Sequence, residues 1–163
     1  SLGHQRIGII TNAPLVYTAS QQRLEGYNQA LKRASIPYDE CLVQEGNFDG
    51  ESGQSAMERL LTCDPMPTAV FVASDMVAMG ALQAIRDHRL CVPEDIAIVG
   101  FDDITAARFV TPALTTVRLP TFGLGWSAAE ILIDLIEQDT IAQTHTLLET
   151  ELVIRSSCGA RVQ

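Results

Sequence analysis

The sequence predicts an α/β domain whose parallel sheet is flanked by helices, and three observations predict it. Short, almost continuously apolar runs recur along the chain. Between them lie stretches with apolar residues at helical spacing, and Pro, Gly and Asp clusters mark the boundaries. A parallel sheet covered on both faces needs strands apolar on both sides, and strands alternating with helices are joined by right-handed crossovers.

The elements follow in order. Residues 6–10 (Arg-Ile-Gly-Ile-Ile) read as a buried strand. Ser20 is the expected N-cap of a helix in which Leu24, Tyr27 and Leu31 recur at helical spacing, until Pro37 stops it. A second strand is expected at 40–43, then a helix over about 51–62 with Ala56, Met57, Leu60 and Leu61 on one face. Pro65 and Pro67 precede a third strand at 68–72. Asp75 is expected to cap and open a helix to about residue 89, apolar almost all round at its start. A turn at 93–95 leads to a fourth strand, 96–99, ending at Gly100. An extended piece at 115–118 precedes Pro120. The helix over about 122–137 carries Glu130, Asp134 and Glu137 on one narrow stripe and leaves a wide apolar face. A last strand is expected at about 147–154.

Composition narrows the function classes. The 163 residues are 47% hydrophobic and 19% charged, within the range of soluble globular domains, and suffice for one α/β domain with a core. No apolar run approaches the ~20 residues that cross a bilayer, and the first six residues lack the apolar core of a signal peptide. A net charge of −9 repels phosphate, and basic residues such as Arg6, Arg23, Lys32, Arg33, Arg59 and Arg86 are scattered. This piece is not expected to bind nucleic acid by itself. Cys41, Cys63, Cys91 and Cys158 show no metal spacing and read as reduced structural cysteines. No metal site is expected.

Ligands of open α/β sheets bind outside the carboxyl ends of the strands. Those ends carry Thr11 and Asn12, then Gly46, Asn47 and Phe48, then Ser74 and Asp75, then Phe101, Asp102 and Asp103. Polar groups and aromatics on one sheet edge make a small-molecule pocket. If Ser20 caps its helix, Arg23 stands in the first turn, where the dipole disfavours a cation. A guanidinium there either forks onto a ligand or pairs with a neighbour such as Glu25; both readings stand. Asp102 and Asp103 are adjacent and point to opposite sides, so they do not form a glycosidase pair. One is expected to face the pocket and the other to serve structure. Ser74 either caps or binds, and Phe48 either stacks on a ligand or plugs the core. Residues 123–128 (Gly-Leu-Gly-Trp-Ser-Ala) match a dinucleotide-loop pattern, but Pro120 separates them from the preceding strand.

Several stretches, in order and spacing, resemble the effector-binding core of the LacI/GalR family of transcriptional regulators. They are 2–10, 23–27 (Arg-Leu-Glu-Gly-Tyr), 46–49 (Gly-Asn-Phe-Asp), 69–75 with 78–82, 92–103 (Val-Pro-Glu-Asp-Ile-Ala-Ile-Val-Gly-Phe-Asp-Asp) and 112–118 (Pro-Ala-Leu-Thr-Thr-Val-Arg). The last two are the most specific. The resemblance implies a periplasmic-binding-protein-like fold of type I, represented here mainly by its C-terminal subdomain. It assigns 1–114 and 145–158 to that subdomain, and 115–140 to a crossover segment and helix of an absent N-terminal subdomain. The DNA-binding head and hinge are absent as well.

By the same resemblance, Arg23, Ser74 and Asp102 match positions that hydrogen-bond the effector, Phe48 the aromatic that stacks on it, and Tyr17 a loop position that varies with ligand. Met76, Val77, Met79, Leu82, Phe109 and Val110 resemble a dimer interface. The expected partners are a sugar-like effector, a second copy of the chain, and operator DNA through the absent head alone; no cofactor, membrane or enzymatic role is expected, and the location is cytoplasmic. Sugar binders often carry Asn where Ser74 stands and Gln where Leu119 stands, which implies an effector less hydroxylated than a simple hexose. The alternative implied by the same fold is part of a periplasmic sugar-binding protein of a transporter. An enzyme is a distant third, because no nucleophile is arranged beside a base.

Overall fold

The computed structural model describes residues 2–138 and 145–160. Residue 1 and residues 139 and 140 of the expected crossover segment lie outside the described residues. Six strands form one sheet in the order β2-β1-β3-β4-β5-β6. The strands are β1 (Ile7–Thr11), β2 (Val43–Glu45), β3 (Ala69–Val72), β4 (Ala97–Asp102), β5 (Thr115–Arg118) and β6 (Glu151–Val153). The first five run parallel; β6 pairs antiparallel with β5. The helices are α1 (Thr18–Arg33), α2 (Gly50–Leu61), α3 (Asp75–Asp87) and α4 (Thr121–Gln138). No helix among the described residues is long and apolar enough to cross a membrane.

Side-chain alternation along the strands explains the layers. Ile10, Val70, Val72 and Ile98 point to the side covered by α2 and α3, where Met57, Leu60, Ala81 and Ile85 complete the larger core. Ile9, Val43 and Phe71 point to the other side, where Tyr27 and Leu31 of α1 cover them. The Tyr27 hydroxyl donates to the Ile7 carbonyl at 2.6 Å. Burial is the main cause of its pKa rising to about 12. Helices α1 and α3 end alike. Ser35 (φ 56°) and Arg89 (φ 58°) take the left-handed conformation, and the next N–H reaches back five residues, Ile36 to Leu31 and Leu90 to Ile85. That bond satisfies carbonyls the helix end leaves open.

Four local expectations are corrected. The strand expected at 40–43 begins at Val43; Glu40–Leu42 is a 3₁₀ turn, because the Asp39 carboxylate accepts the Cys41 N–H at 3.0 Å and bends the chain. Ser20 does not cap α1, which starts two residues earlier with Tyr17 at the cap. Asp75 does not cap α3. It stands in the first turn, with Ser74 at the cap position, and its carboxylate is buried. Finally, Cys41 and Cys63 are not reduced: they form a disulfide with Cα atoms 6.3 Å apart. Packing of α2 against β2 brings the end of α2 beside the 3₁₀ turn, a proximity that motif spacing does not encode. A link across a 22-residue separation stabilises by about 3 kcal/mol on the chain-entropy account. Cys91 and Cys158 are free thiols.

Val77 and Leu82, expected at a dimer interface, are buried in the chain's own core between α2 and α3. Met76 and Phe109 are exposed, and Met79 and Val110 are half-buried. The glycines of the dinucleotide-like stretch at 123–128 lie inside α4, not in a turn ahead of it.

Candidate functional site

Four parallel strands end on one edge of the sheet, and the side chains just beyond them meet there. Asn12 follows β1. Its side-chain oxygen accepts the Ser20 hydroxyl at 3.2 Å and Nη1 of Arg23 at 3.1 Å, so both α1 residues are anchored to the tip of β1. The Arg23 guanidinium carbon stands 4.6 Å from the centre of the Phe101 ring, at the end of β4. A cation over an aromatic face is attracted by the ring quadrupole. The dipole argument for Arg23 fails, since it stands in the second turn of α1, beyond the reach of the N-terminal charge. Its glutamate neighbour is not its partner either: Glu25 accepts from Gln29. What fixes Arg23 is an amide oxygen and a ring.

Beyond β2, Phe48 has φ 64°, a conformation costing a bulky residue of the order of 1–3 kcal/mol. It is held by its N–H, which donates to the Asn12 carbonyl at 2.7 Å. The ring is exposed and meets Tyr17 edge to face at 5.7 Å between centroids. Asn12 therefore joins three elements: its main chain seats the aromatic and its side chain seats the arginine.

Beyond β3 and β4 two carboxylates interlock. Asp75, 0% exposed, accepts the Thr116 hydroxyl at 2.7 Å and the Ile104 N–H at 3.0 Å. The Thr116 hydroxyl oxygen in turn accepts the Asp103 N–H at 3.4 Å. Burial pushes its carboxyl up from the ordinary value, and those donors offset the rise. The Asp102 carboxylate faces the Ser74 hydroxyl and the Asp75 N–H at the start of α3, and both favour its charged form. Burial, then the Asp75 charge, push Asp102 up; Ser74 and the positive charge of Arg23 offset them. Gly100 makes this proximity sterically allowed, since a Cβ there would stand 2.2 Å from Asp75 Oδ1.

Asp103 points the other way. Its side chain is 2% exposed and pairs with Arg118 Nε at 2.6 Å and with Arg155 Nη2. Burial opposes its charged form; the hydrogen bonds of Arg155, then Arg118, outweigh burial and hold its carboxyl below the ordinary value.

Tyr17, Arg23, Phe48, Ser74 and Asp102, predicted from sequence, thus lie along one sheet edge, the first three joined through a ring contact and Asn12, and Asp102 within electrostatic reach of Arg23 and Ser74. Asn12 and Phe101 complete it; sequence reading placed both at strand ends without assigning them a part. Asp75 was read as a cap, and no local signal reveals its partner Thr116, 41 residues away. Such a rim offers an acceptor, a fixed cation and two exposed rings, the donors and faces that a polyhydroxylated or heterocyclic ligand needs. Among the described residues, no three His, Cys, Asp or Glu side chains are placed to hold a metal ion.

Comparisons with known proteins agree on this architecture. The model of the periplasmic binding protein-like domain matches residues 1–158. The transcriptional regulator CelR of Thermobifida fusca is 42% identical over 155 residues, 95% of this chain and 45% of its own length. The transcriptional repressor CytR of Escherichia coli is 40% identical over 158 residues, 97% of this chain and 46% of its own. The solved complex of a CelR regulator with cellobiose superposes with TM-score 0.89 at 42% identity, over 95% of this chain and 47% of that one. The lac repressor dimer bound to operator and the anti-inducer ONPF superposes with TM-score 0.89 at 32% identity, over 98% of this chain and 54% of that one. The chain spans about half the length of the curated relatives it matches.

Proposed function

The chain belongs to the LacI/GalR family of transcriptional regulators, and from that membership we propose that it is the effector-sensing and dimerising part of a repressor. Its work is recognition, in keeping with relatives that are transcriptional regulators. The observation that carries the reading is the placement of Tyr17, Phe48, Arg23, Asp102 and Ser74 along one sheet edge, with the Arg23 charge felt by Asp102. Asp102 and Arg23 hydrogen-bond the effector, Ser74 steadies Asp102, and Phe48 with Tyr17 covers an apolar or ring face of the ligand. Ser74 and Leu119, in place of the amides frequent in sugar binders, favour an effector less hydroxylated than a simple hexose.

In the intact regulator, residues 115–140 cross to a second subdomain, and the effector selects one closure state of the two. A ligand shifts that equilibrium only by its differential affinity for the two states. Operator affinity follows through a DNA-binding head on the same protein, which places the regulator in the cytoplasm. Met76, Met79, Phe109 and Val110 form the surface for the second copy.

Calorimetric titration of the intact regulator with cellobiose, hexoses, polyols and purines tests the proposal. One class is expected to bind. Arg23→Ala and Asp102→Ala should each weaken it by about 1.5–3 kcal/mol, roughly 10- to 150-fold. If no compound binds, or if both variants bind like the unaltered protein, the reading is wrong.

A further inference from the structure

Asp102 and Asp103 both have positive φ, 119° and 58°. Asp tolerates the left-handed region better than most residues, yet two such residues in succession persist only where the surroundings over-determine them. Two sets of contacts do so. From below, Asp75 accepts the Ile104 N–H at 3.0 Å and the Thr116 hydroxyl at 2.7 Å, and the oxygen of that hydroxyl accepts the Asp103 N–H at 3.4 Å. From the side, the Asp103 carboxylate is clasped by Arg118, the last residue of β5, and by Arg155, just past β6. Both arginines are themselves fixed. Arg118 Nη1 donates to Glu151 at 2.8 Å. Arg155 Nη1 donates to the Leu114 carbonyl at 2.6 Å, and its N–H to the Thr115 hydroxyl at 2.8 Å.

The direction of this clasp is informative. A surface pair that merely joined β5 to β6 would not need a third strand. Here both guanidinium groups converge on the residue next to the one that faces the rim, and Asp103 is nearly sealed from solvent. Side-chain hydrogen bonds to Asp103 therefore determine where its neighbour's Cα–Cβ bond points. The strands supplying the arginines are also the two that flank α4 in the chain, β5 before it and β6 after it.

We propose that Asp103 is the positioning residue of the effector site: clasped by Arg118 and Arg155, it holds the β4 tip in the conformation that presents Asp102 to the rim, and it ties that presentation to β5 and β6. The inference rests on the effector reading for its consequence, not for its geometry. Movement of β5 against β6 is then felt at Asp102, and occupancy of Asp102 is felt at the two strands.

The test reads Asp102 directly and needs no ligand. Carboxyl carbon NMR of the chain across pH 3–8 follows Asp102, whose charged neighbours are Asp75 on α3 and Arg23 on α1. In Asp103→Asn and in Arg118→Gln, its titration midpoint is expected to fall toward the ordinary carboxylate value as the tip relaxes out of its pocket. Arg118→Lys should keep the midpoint near that of the unaltered chain. If Asp103→Asn fails to fold, Arg118→Gln, which leaves the Arg155 pair intact, carries the comparison. Folded variants with an unmoved Asp102 midpoint would overturn the proposal and leave Asp103 a plain structural pair. A second arm titrates cellobiose, then the purines and polyols, into the intact regulator, where Asp103→Asn should bind about tenfold more weakly or worse. A moved midpoint with no compound bound by the unaltered protein would support the positioning role and sink the effector reading alone.

Discussion

At the residue scale, the site carries a stability cost that its function explains. The folded-state pKa of Asp102 lies above its ordinary value because burial and the Asp75 charge disfavour ionisation. Such a group contributes fully to stability below the ordinary carboxylate range, near pH 4. That contribution is lost as pH rises through the raised folded value. Asparagine cannot ionise, keeps an acceptor for Ser74 and the Asp75 N–H, and tolerates positive φ. Asp102→Asn should therefore melt higher than the unaltered chain at pH 7. The gain should shrink toward pH 4, where Asp102 is protonated in the folded chain. Effector affinity should fall. Melting curves at pH 4, 5.5 and 7 decide it; a deficit constant with pH would mean that Asp102 is a stabilising cap and nothing more. The strand-end rule placed this carboxylate, Phe48 and Ser74 at the sheet edge from sequence, because it needs only strand ends and polarity. It did not assign Asn12 a part, because a short amide after a strand looks like turn chemistry, and its two side-chain donors come from the next helix. Arg23 was singled out by a dipole conflict that the true helix start removes.

At the element scale, apolar runs made β1, β3 and β4 legible, since strands buried on both faces announce themselves, whereas β5, with two threonines and an arginine, was read only as an extended piece. β2 was misplaced by three residues at its start because Cys41 and Leu42 are apolar for the sake of a disulfide and a core contact, not of a ladder. The antiparallel sense of β6 was not legible, as direction leaves no mark on side-chain alternation. Nor was the closeness of α2 and α3. A Cβ on Gly53 would stand 1.9 Å from the Val77 carbonyl oxygen, and one on Gly80 1.7 Å from that of Gly50. These are backbone atoms, which cannot swing aside. Gly53→Ala and Gly80→Ala should each cost at least the ~1–3 kcal/mol typical of overpacking, with α3 displaced from the rim. On α1, a Cβ at Gly26 meets nothing within 4 Å, so Gly26→Ala should stabilise by about 0.8–1 kcal/mol through helix propensity. Urea titrations of the three variants check both signs. If the helix pair accepts alanine at no cost, the two helices are not packed backbone to backbone.

At the scale of the whole molecule, α4 does not belong to the core that the other elements share. Phe122 is 81% exposed and Trp126 58%, with their rings stacked 6.0 Å apart, and Leu132, Ile133 and Ile136 continue the exposed apolar surface. Its inner side meets Leu148 near Gly123, while the sheet is closed without it. An apolar patch on this scale marks an interaction surface. In the intact regulator we assign it to the second subdomain; in this chain by itself, the available cover is another copy. A net charge of −9 opposes that association through long-range repulsion. Salt should therefore promote it, because the Debye length shrinks from about 10 Å at 0.1 M to about 3 Å at 1 M while the apolar drive persists. Sedimentation of the chain should show an oligomer that grows with concentration and with sodium chloride, accompanied by a blue shift of Trp126 emission as its indole leaves water. Phe122→Ser combined with Ile136→Ser should abolish both without lowering the melting temperature, because neither side chain supports the core. A monomer at every salt and concentration, with Trp126 emitting as a water-exposed indole, would show that α4 tolerates solvent and would remove the physical reason for assigning it to a second subdomain.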